Sequence, residues 1–173
     1  SSVVSIRGFL RDPTQYYDFS LKIYPIRASA MPNKSHLLLA KLEKKGLIKG
    51  VITQNVDGLH LKAGSENVHE LHGSIRTCSC LQCGQFFTTD EIISRVKEGE
   101  NPPICKTFEG EECGGLIKPT AVFFGEGLPK TPWDSAVDKS KDTTLMIVIG
   151  SSLQVSPANS LPCLLYTSPS PRD

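Results

Sequence analysis

The sequence predicts an α/β fold, a parallel sheet interrupted by an inserted cysteine-rich module, and three observations lead there. Val51-Ile52-Thr53 is a short apolar approach that runs straight into Gln54-Asn55-Val56-Asp57-Gly58-Leu59-His60, so a strand delivers two amides, a carboxylate and an imidazole at its carboxyl end. A second apolar run, 145–149, is continuous rather than alternating, as a parallel strand covered on both faces would be, and it ends in Gly150-Ser151-Ser152. Between the two runs lie five of the six cysteines, Cys78, Cys80, Cys83, Cys105 and Cys113. Ligands of open α/β sheets bind beyond the carboxyl ends of strands, so both polar turns are candidate sites.

The elements follow in order. Asn33 can cap a helix in which Leu37, Leu38 and Leu42 recur at helical spacing, and Gly46 ends it after lysines that suit a helix C-terminus. Residues 47–53 then read as a buried strand, and Glu70-Leu71-His72-Gly73-Ser74 brings a further imidazole shortly after it. Thr89-Asp90-Glu91 starts a helix that Gly99 stops, between the two cysteine pairs. Residues 121–124 form a short apolar strand closing into Gly125-Glu126-Gly127, and Thr131-Pro132 has the cap and first-turn proline of a helix running to residue 139.

Composition bounds the function. A chain of 173 residues that is 39% hydrophobic and 21% charged is ordinary globular material, able to bury one core with an insertion. Its 19 basic residues nearly balance 18 acidic ones, so no global field draws it to nucleic acid or to an anionic membrane. The longest apolar run is far shorter than a membrane span and the first residues lack a signal-peptide layout, so a cytosolic or organelle-matrix setting is expected.

The cysteines favour metal over disulfides, because a secreted scaffold would spread them through the chain. In Cys80-Leu81-Gln82-Cys83-Gly84 two thiolates three residues apart can reach one ion, and the glycine lets backbone amides turn toward the sulfurs. Cys105 and Cys113 form a looser second pair, with residues 106–112 bulging out between them. These four read as a structural Zn2+ site, with no open coordination position for catalysis; reduced buried cysteines are the alternative. Cys78 competes with Cys80 for the first place but has the poorer spacing to Cys83.

Taken together, Thr53-Gln54-Asn55-Val56-Asp57-Gly58-Leu59-His60, Ala63-Gly64, Glu70-Leu71-His72-Gly73-Ser74, the cysteine pairs, Lys118-Pro119 through Phe123-Phe124-Gly125-Glu126 and Gly150-Ser151-Ser152-Leu153 resemble the sirtuin family of NAD-dependent protein deacylases, in order and near family spacing. The resemblance covers about residues 32–162. It implies a Rossmann-like parallel sheet, incomplete at both ends, over 33–73 and 119–162, a zinc-binding module over 74–118, and residues 1–32 as a helical segment of the smaller domain. NAD as cosubstrate and an acyl-lysine protein or peptide would meet between the two domains.

The resemblance also implies roles. His72 would be the general base, taking a proton from a ribose hydroxyl as nicotinamide departs; imidazole suits that work near neutral pH. Gln54, Asn55 and Asp57 would line the nicotinamide and ribose pocket, and Gly150, Ser151 and Ser152 would lie along the cofactor. Val122, Phe124, Gly125 and Glu126 would bind substrate, with an extended peptide adding to them as a strand. The acyl group would pass to ADP-ribose. ADP-ribosyl transfer to protein, or a non-catalytic zinc-containing peptide-binding module, are the alternatives.

Several features carry no such role. His60 and His69 read as structural, His36 as a partly buried or surface residue, and Lys41, Lys44 and Lys45 as a solvated helix end. Gly125-Glu126-Gly127 opens no helix and is no dinucleotide fingerprint. The family's phosphate-binding glycine loop would lie upstream of Ser1, which predicts a chain short of that half of the cofactor site and inactive alone. Residues 163–173, ending Thr167-Ser168-Pro169-Ser170-Pro171-Arg172-Asp173, depart from the family and read as a disordered or foreign tail.

Overall fold

The computed structural model describes residues 3–165. Ser5 accepts a hydrogen bond from the Gly8 amide at 3.1 Å and caps helix α1 (Ile6–Arg11). Pro13, whose missing N–H costs nothing in a first turn, opens α2 (Pro13–Ser29). Asn33 caps α3 (Lys34–Lys44), accepting from Ser35 and His36, while His36 Nδ1 accepts the Asn33 amide in return. Strand β1 (Val51–Thr53), the single turn α4 (Leu59–Lys62) and strand β2 (Val68–Glu70) follow, and the two strands pair in parallel with Val51 opposite Val68 and Thr53 opposite Glu70.

The inserted module comes next. Strands β3 (Thr77–Cys80) and β4 (Phe86–Thr88) form a hairpin, and Thr88 caps α5 (Thr89–Lys97), whose Ile92, Ile93 and Val96 are buried. Between Cys105 and Cys113 the chain bulges out as a small hairpin of β5 (Thr107–Phe108) and β6 (Glu111–Glu112), turning through Glu109 and Gly110 at positive φ. Strand β7 (Ile117–Pro119) returns along the other edge of β3, giving a three-stranded antiparallel sheet in the order β4-β3-β7.

Two cores result. Phe9, Tyr16 and Tyr17 meet one another, and Phe9 and Tyr16 also meet Phe123, with ring centroids between 5.1 and 6.3 Å apart; the four join Cys78, Ile92, Cys105 and Ile117 in a core between the N-terminal helices and the module. The Tyr17 hydroxyl donates to the Ile117 carbonyl at 2.8 Å, so even the polar tip of this ring is satisfied. Leu71, Ala136, Ala158 and Leu161 form a second, smaller core with Ile52 and Trp133, where α6 (Lys130–Lys141) and α7 (Leu161–Leu164) cover the parallel strands.

The structure corrects four expectations. Residues 145–149 form no strand: Leu145, Ile147 and Ile149 are 71%, 68% and 66% exposed, and among the described residues no strand runs beside them. An apolar run states that it is to be buried, not what buries it. Within 47–53 only Val51–Thr53 is a strand, because β2 offers three residues of pairing and Leu47 stands in solvent. Residues 121–124 make a single parallel bridge, Phe124 to Ser5, instead of a strand. Helix α6 starts at Lys130, behind Pro129 and with no side-chain cap, rather than at a Thr131 cap. Leu37 and Leu38 of α3 also face solvent, while Ala40 is buried. The chain stays helical through Cys163 and Leu164, and the rest of the expected tail, 166–173, lies outside the described residues.

Candidate functional site

The loop leaving β1 is held by its own side chains. Thr53 Oγ1 accepts the Asn55 amide at 3.1 Å, and Asp57 Oδ1 accepts the Leu59 amide at 2.9 Å, closing the turn into α4. Gly58 sits at φ +71°, and a Cβ there would lie 2.3 Å from Arg76 Nε, so the turn requires glycine on two counts. Arg76 in turn pairs with Glu70 at 2.7 Å and donates to Ser74, which ties the loop to the end of β2.

His72 follows directly on β2, half-buried. Its Nδ1 lies 3.0 Å from the carbonyl oxygen of Gln54. A carbonyl only accepts, so Nδ1 carries a proton, and in the neutral ring Nε2 is the nitrogen with the free lone pair. The backbone fixes the ring's base on both sides: Leu71 N donates to Thr53 O at 2.9 Å, and Val122 N donates to His72 O at 2.8 Å. Gly73 is at φ +66°, where a Cβ would stand 2.2 Å from the Thr120 carbonyl. Gln54, Asp57 and His72 are thus gathered by one strand end and one loop, and Asn55, beside them, is exposed.

His60 is the second residue of α4 and packs against His36 with ring centroids 4.6 Å apart and ring planes tilted by 55°. Burial, then the neighbouring His36, holds its imidazole below the ordinary range, with Asp57 pulling the other way. The two rings brace α3 against the loop.

Gly150, Ser151 and Ser152 lie on an exposed irregular segment, where Ser151 Oγ accepts the Leu153 amide at 3.2 Å. Among the described residues no hydrogen bond or ion pair joins them to Gln54, Asn55, Asp57 or His72. The segment expected to bind substrate is also partly committed. Phe124 N donates to Val4 O and its carbonyl accepts from Ile6 N, both at 3.0 Å, and Glu126 N donates to Phe123 O at 3.0 Å. The Phe124 ring projects outward, 74% exposed. Beside it, Glu126, Gly127, Leu128, Lys130, Trp133, Ser156 and Pro157 line a cavity of about 400 Å³.

The four cysteines meet as expected. Their sulfurs all lie within 4.8 Å of one another, with Cys80 to Cys113 at 3.6 Å and Cys83 to Cys105 at 3.7 Å. Sulfurs about 2.3 Å from a tetrahedral zinc stand about 3.8 Å apart, so the cage has the dimensions of a Zn2+ site. Gly115 approaches closely, since a Cβ there would lie 2.4 Å from Cys80 Sγ. Burial opposes ionisation at Cys80, but the amides of Cys83 and Gln82 aim at its sulfur and hold its pKa at about 7. Burial and the Cys83 sulfur push Cys105 up to about 12. Four converging thiol sulfurs at these separations are a donor set that fits zinc. Cys78 lies outside the cage, buried against Thr89, as the spacing suggested.

Lys118 escaped the sequence reading as a separate feature. A single lysine in Leu116-Ile117-Lys118-Pro119 resembles a surface residue, and no periodicity marks it as buried.

The comparisons with known proteins agree with this geometry. The Sir2 family profile matches residues 1–157. An NAD-dependent protein deacetylase 2 of Caldanaerobacter subterraneus is 41% identical over 94% of this chain, and an NAD-dependent protein deacetylase of Thermotoga maritima is 43% identical over 96% of it. The chain spans 62% and 65% of the length of those relatives. A solved Sir2 structure with a p53 peptide and NAD+ superposes with a TM-score of 0.87 at 42% identity, covering 96% of this chain and 67% of the other. Another, from work on sirtuin substrate affinity, reaches 0.88 at 43% identity over 96% of this chain and 69% of its own. With its Rossmann-like α/β fold and four-cysteine module, the chain belongs to the Sir2 family.

Proposed function

We propose that this chain carries the base and the peptide-binding part of an NAD-dependent protein-lysine deacylase. The observation that carries the reading is His72, whose Nδ1 is committed to the Gln54 carbonyl 3.0 Å away and whose Nε2 is left to accept a proton. Bound NAD supplies a glycosidic bond whose cleavage releases nicotinamide and offers ADP-ribose as acyl acceptor. This chain's residues do the rest. Gln54, Asn55 and Asp57 would hold the nicotinamide and ribose side, Gly150, Ser151 and Ser152 the remainder of the dinucleotide, and His72 would take the ribose hydroxyl proton. Gly125 would pair with the main chain of the acyl-lysine peptide, with Val122, Phe124 and Glu126 forming the surface around it.

The relatives named as deacetylases and the solved complexes with NAD and acetylated peptides support this reading. The four cysteines support a structural Zn2+ rather than a catalytic one, because a four-sulfur cage leaves no place for substrate. A reducing compartment such as the cytosol is the proposed setting, consistent with thiols arranged for metal. Among the described residues no helix is long and apolar enough to cross a membrane.

The test is peptide-dependent nicotinamide release from NAD with an acetyl-lysine peptide. In a version extended to the full length of the relatives, His72→Ala should abolish turnover and leave peptide binding largely intact; turnover that survives the substitution sinks the assignment of the base. Peptide binding with no turnover would instead favour a non-catalytic binding module.

A further inference from the structure

Lys118 on β7 is 4% exposed, yet none of its polar capacity is wasted. An ammonium has three donors, and here they meet three acceptors: the Pro119 carbonyl at 2.9 Å, the Ala121 carbonyl at 2.8 Å and Glu126 Oε2 at 2.9 Å. The same nitrogen stands 4.1 Å from the centroid of the Phe123 ring, whose face favours a cation. Glu126 Oε2 also accepts the Phe123 amide at 2.6 Å. All these partners belong to the one segment, 119–126, that carries the Phe124–Gly125 edge and one wall of the 400 Å³ cavity.

A buried lysine is costly, and an apolar side chain of similar length would fill the space more cheaply. What an apolar side chain could not do is draw two carbonyls and a carboxylate to one point. Backbone hydrogen bonds hold one side of the segment at 119–126: Thr120 N to Thr77 O, Val122 N to His72 O and Phe124 N to Val4 O. The ammonium adds a second constraint, tying the carbonyls of Pro119 and Ala121 to Glu126.

We infer that Lys118 is a positioning residue for the acyl-lysine peptide, fixing through Glu126 and the Pro119 and Ala121 carbonyls the loop against which the peptide pairs; this rests on the deacylase reading. It touches no reacting atom. Its contribution falls first on peptide affinity; the His72 ring keeps its partner, the Gln54 carbonyl, on another loop, although Val122 of the same segment donates to the His72 carbonyl.

The experiment measures binding of an acetyl-lysine peptide and of its unacetylated counterpart to the parent protein and to K118M, K118R and E126Q, alongside zinc content and amide hydrogen exchange. Peptide affinity should fall about tenfold in K118M, with exchange faster at Phe123 and Phe124. Zinc content and exchange in β3 and α5 should stay at parent values, which separates positioning from general loss of fold. K118R keeps the charge and several donors and should recover most of the affinity. If K118M does not fold, E126Q still tests the point, because it removes the charge pair while keeping the side chain's volume, and it should weaken binding in the same direction. Parental affinity in both K118M and E126Q, with the parent binding the acetylated peptide selectively, overturns the inference alone. A parent protein that does not distinguish the acetylated peptide counts against the deacylase reading and takes the inference with it.

Discussion

The zinc module with its N-terminal helices and the parallel unit answer the same problem, how to bury apolar surface, in opposite ways. In the module the answer is local. Strand β4 follows β3 through a short cysteine turn, β7 comes back along the other edge, and Phe9, Ile92, Cys105 and Ile117 close a core in which each is fully buried. The parallel unit has β1 and β2 as its only paired strands among the described residues, a core of four small-to-medium buried side chains, and an apolar run at 145–149 that stands in solvent. Antiparallel neighbours can be joined by a turn, whereas parallel ones need crossovers and partners on both edges. The candidate site sits where the two meet: His72 hangs from the parallel unit, and the Val122 amide reaches its carbonyl from the segment after β7.

Three experiments would break or sharpen that contrast. The largest effect should come from the metal. Structural zinc sites contribute on the order of 10 kcal/mol to folding, comparable with the whole stability of a domain, so strong chelation or Cys80→Ser should unfold the module. Circular dichroism and metal analysis read it, and a module that keeps its near-ultraviolet signal without metal contradicts it.

Next come the two isoleucines. Ile92→Ala opens a cavity in the closed core and should cost about 3 kcal/mol. Ile147→Ala, in the exposed run, should stay within about 0.5 kcal/mol, because the side chain loses little burial. Denaturant midpoints decide it, and equal costs at the two sites would erase the distinction drawn between the regions.

The smallest effect is electrostatic and confined to the module. Hydrogen bonding from Arg95 holds Glu100 at about 2, against an opposing contribution from burial. Because the folded value is depressed, the pair's stabilisation is present above the ordinary glutamate range and is lost as pH falls toward about 2. The Glu100 side chain is 28% exposed, so water screens part of the pair and the loss should be modest. Glu100→Gln should flatten this part of the acid limb; an unchanged acid transition in the variant would show that the pair contributes nothing.

Much of this was legible in the sequence because the signals were local. The Cys80/Cys83 spacing, the Asn33 cap, the Thr89 helix start and the Asn55-Val56-Asp57-Gly58 turn each depend on residues a few positions apart, and the structure places them as read. Residues 145–149 misled because hydrophobicity specifies burial without naming a partner. Lys118 was passed over for the converse reason: its three acceptors are scattered over eight residues and converge only when the loop folds back. That Phe124 would already be paired with Val4 and Ile6 depended on a contact between residues far apart in the sequence, which no local pattern encodes.

The central claim is that His72 is held as a base by the Gln54 carbonyl. The nitrogen-15 shifts of its imidazole test it most directly, above the pH at which the ring carries both protons. Protonated Nδ1 with a bare Nε2 is the predicted result, and a ring protonated at Nε2, leaving Nδ1 facing the carbonyl without a proton, would contradict it.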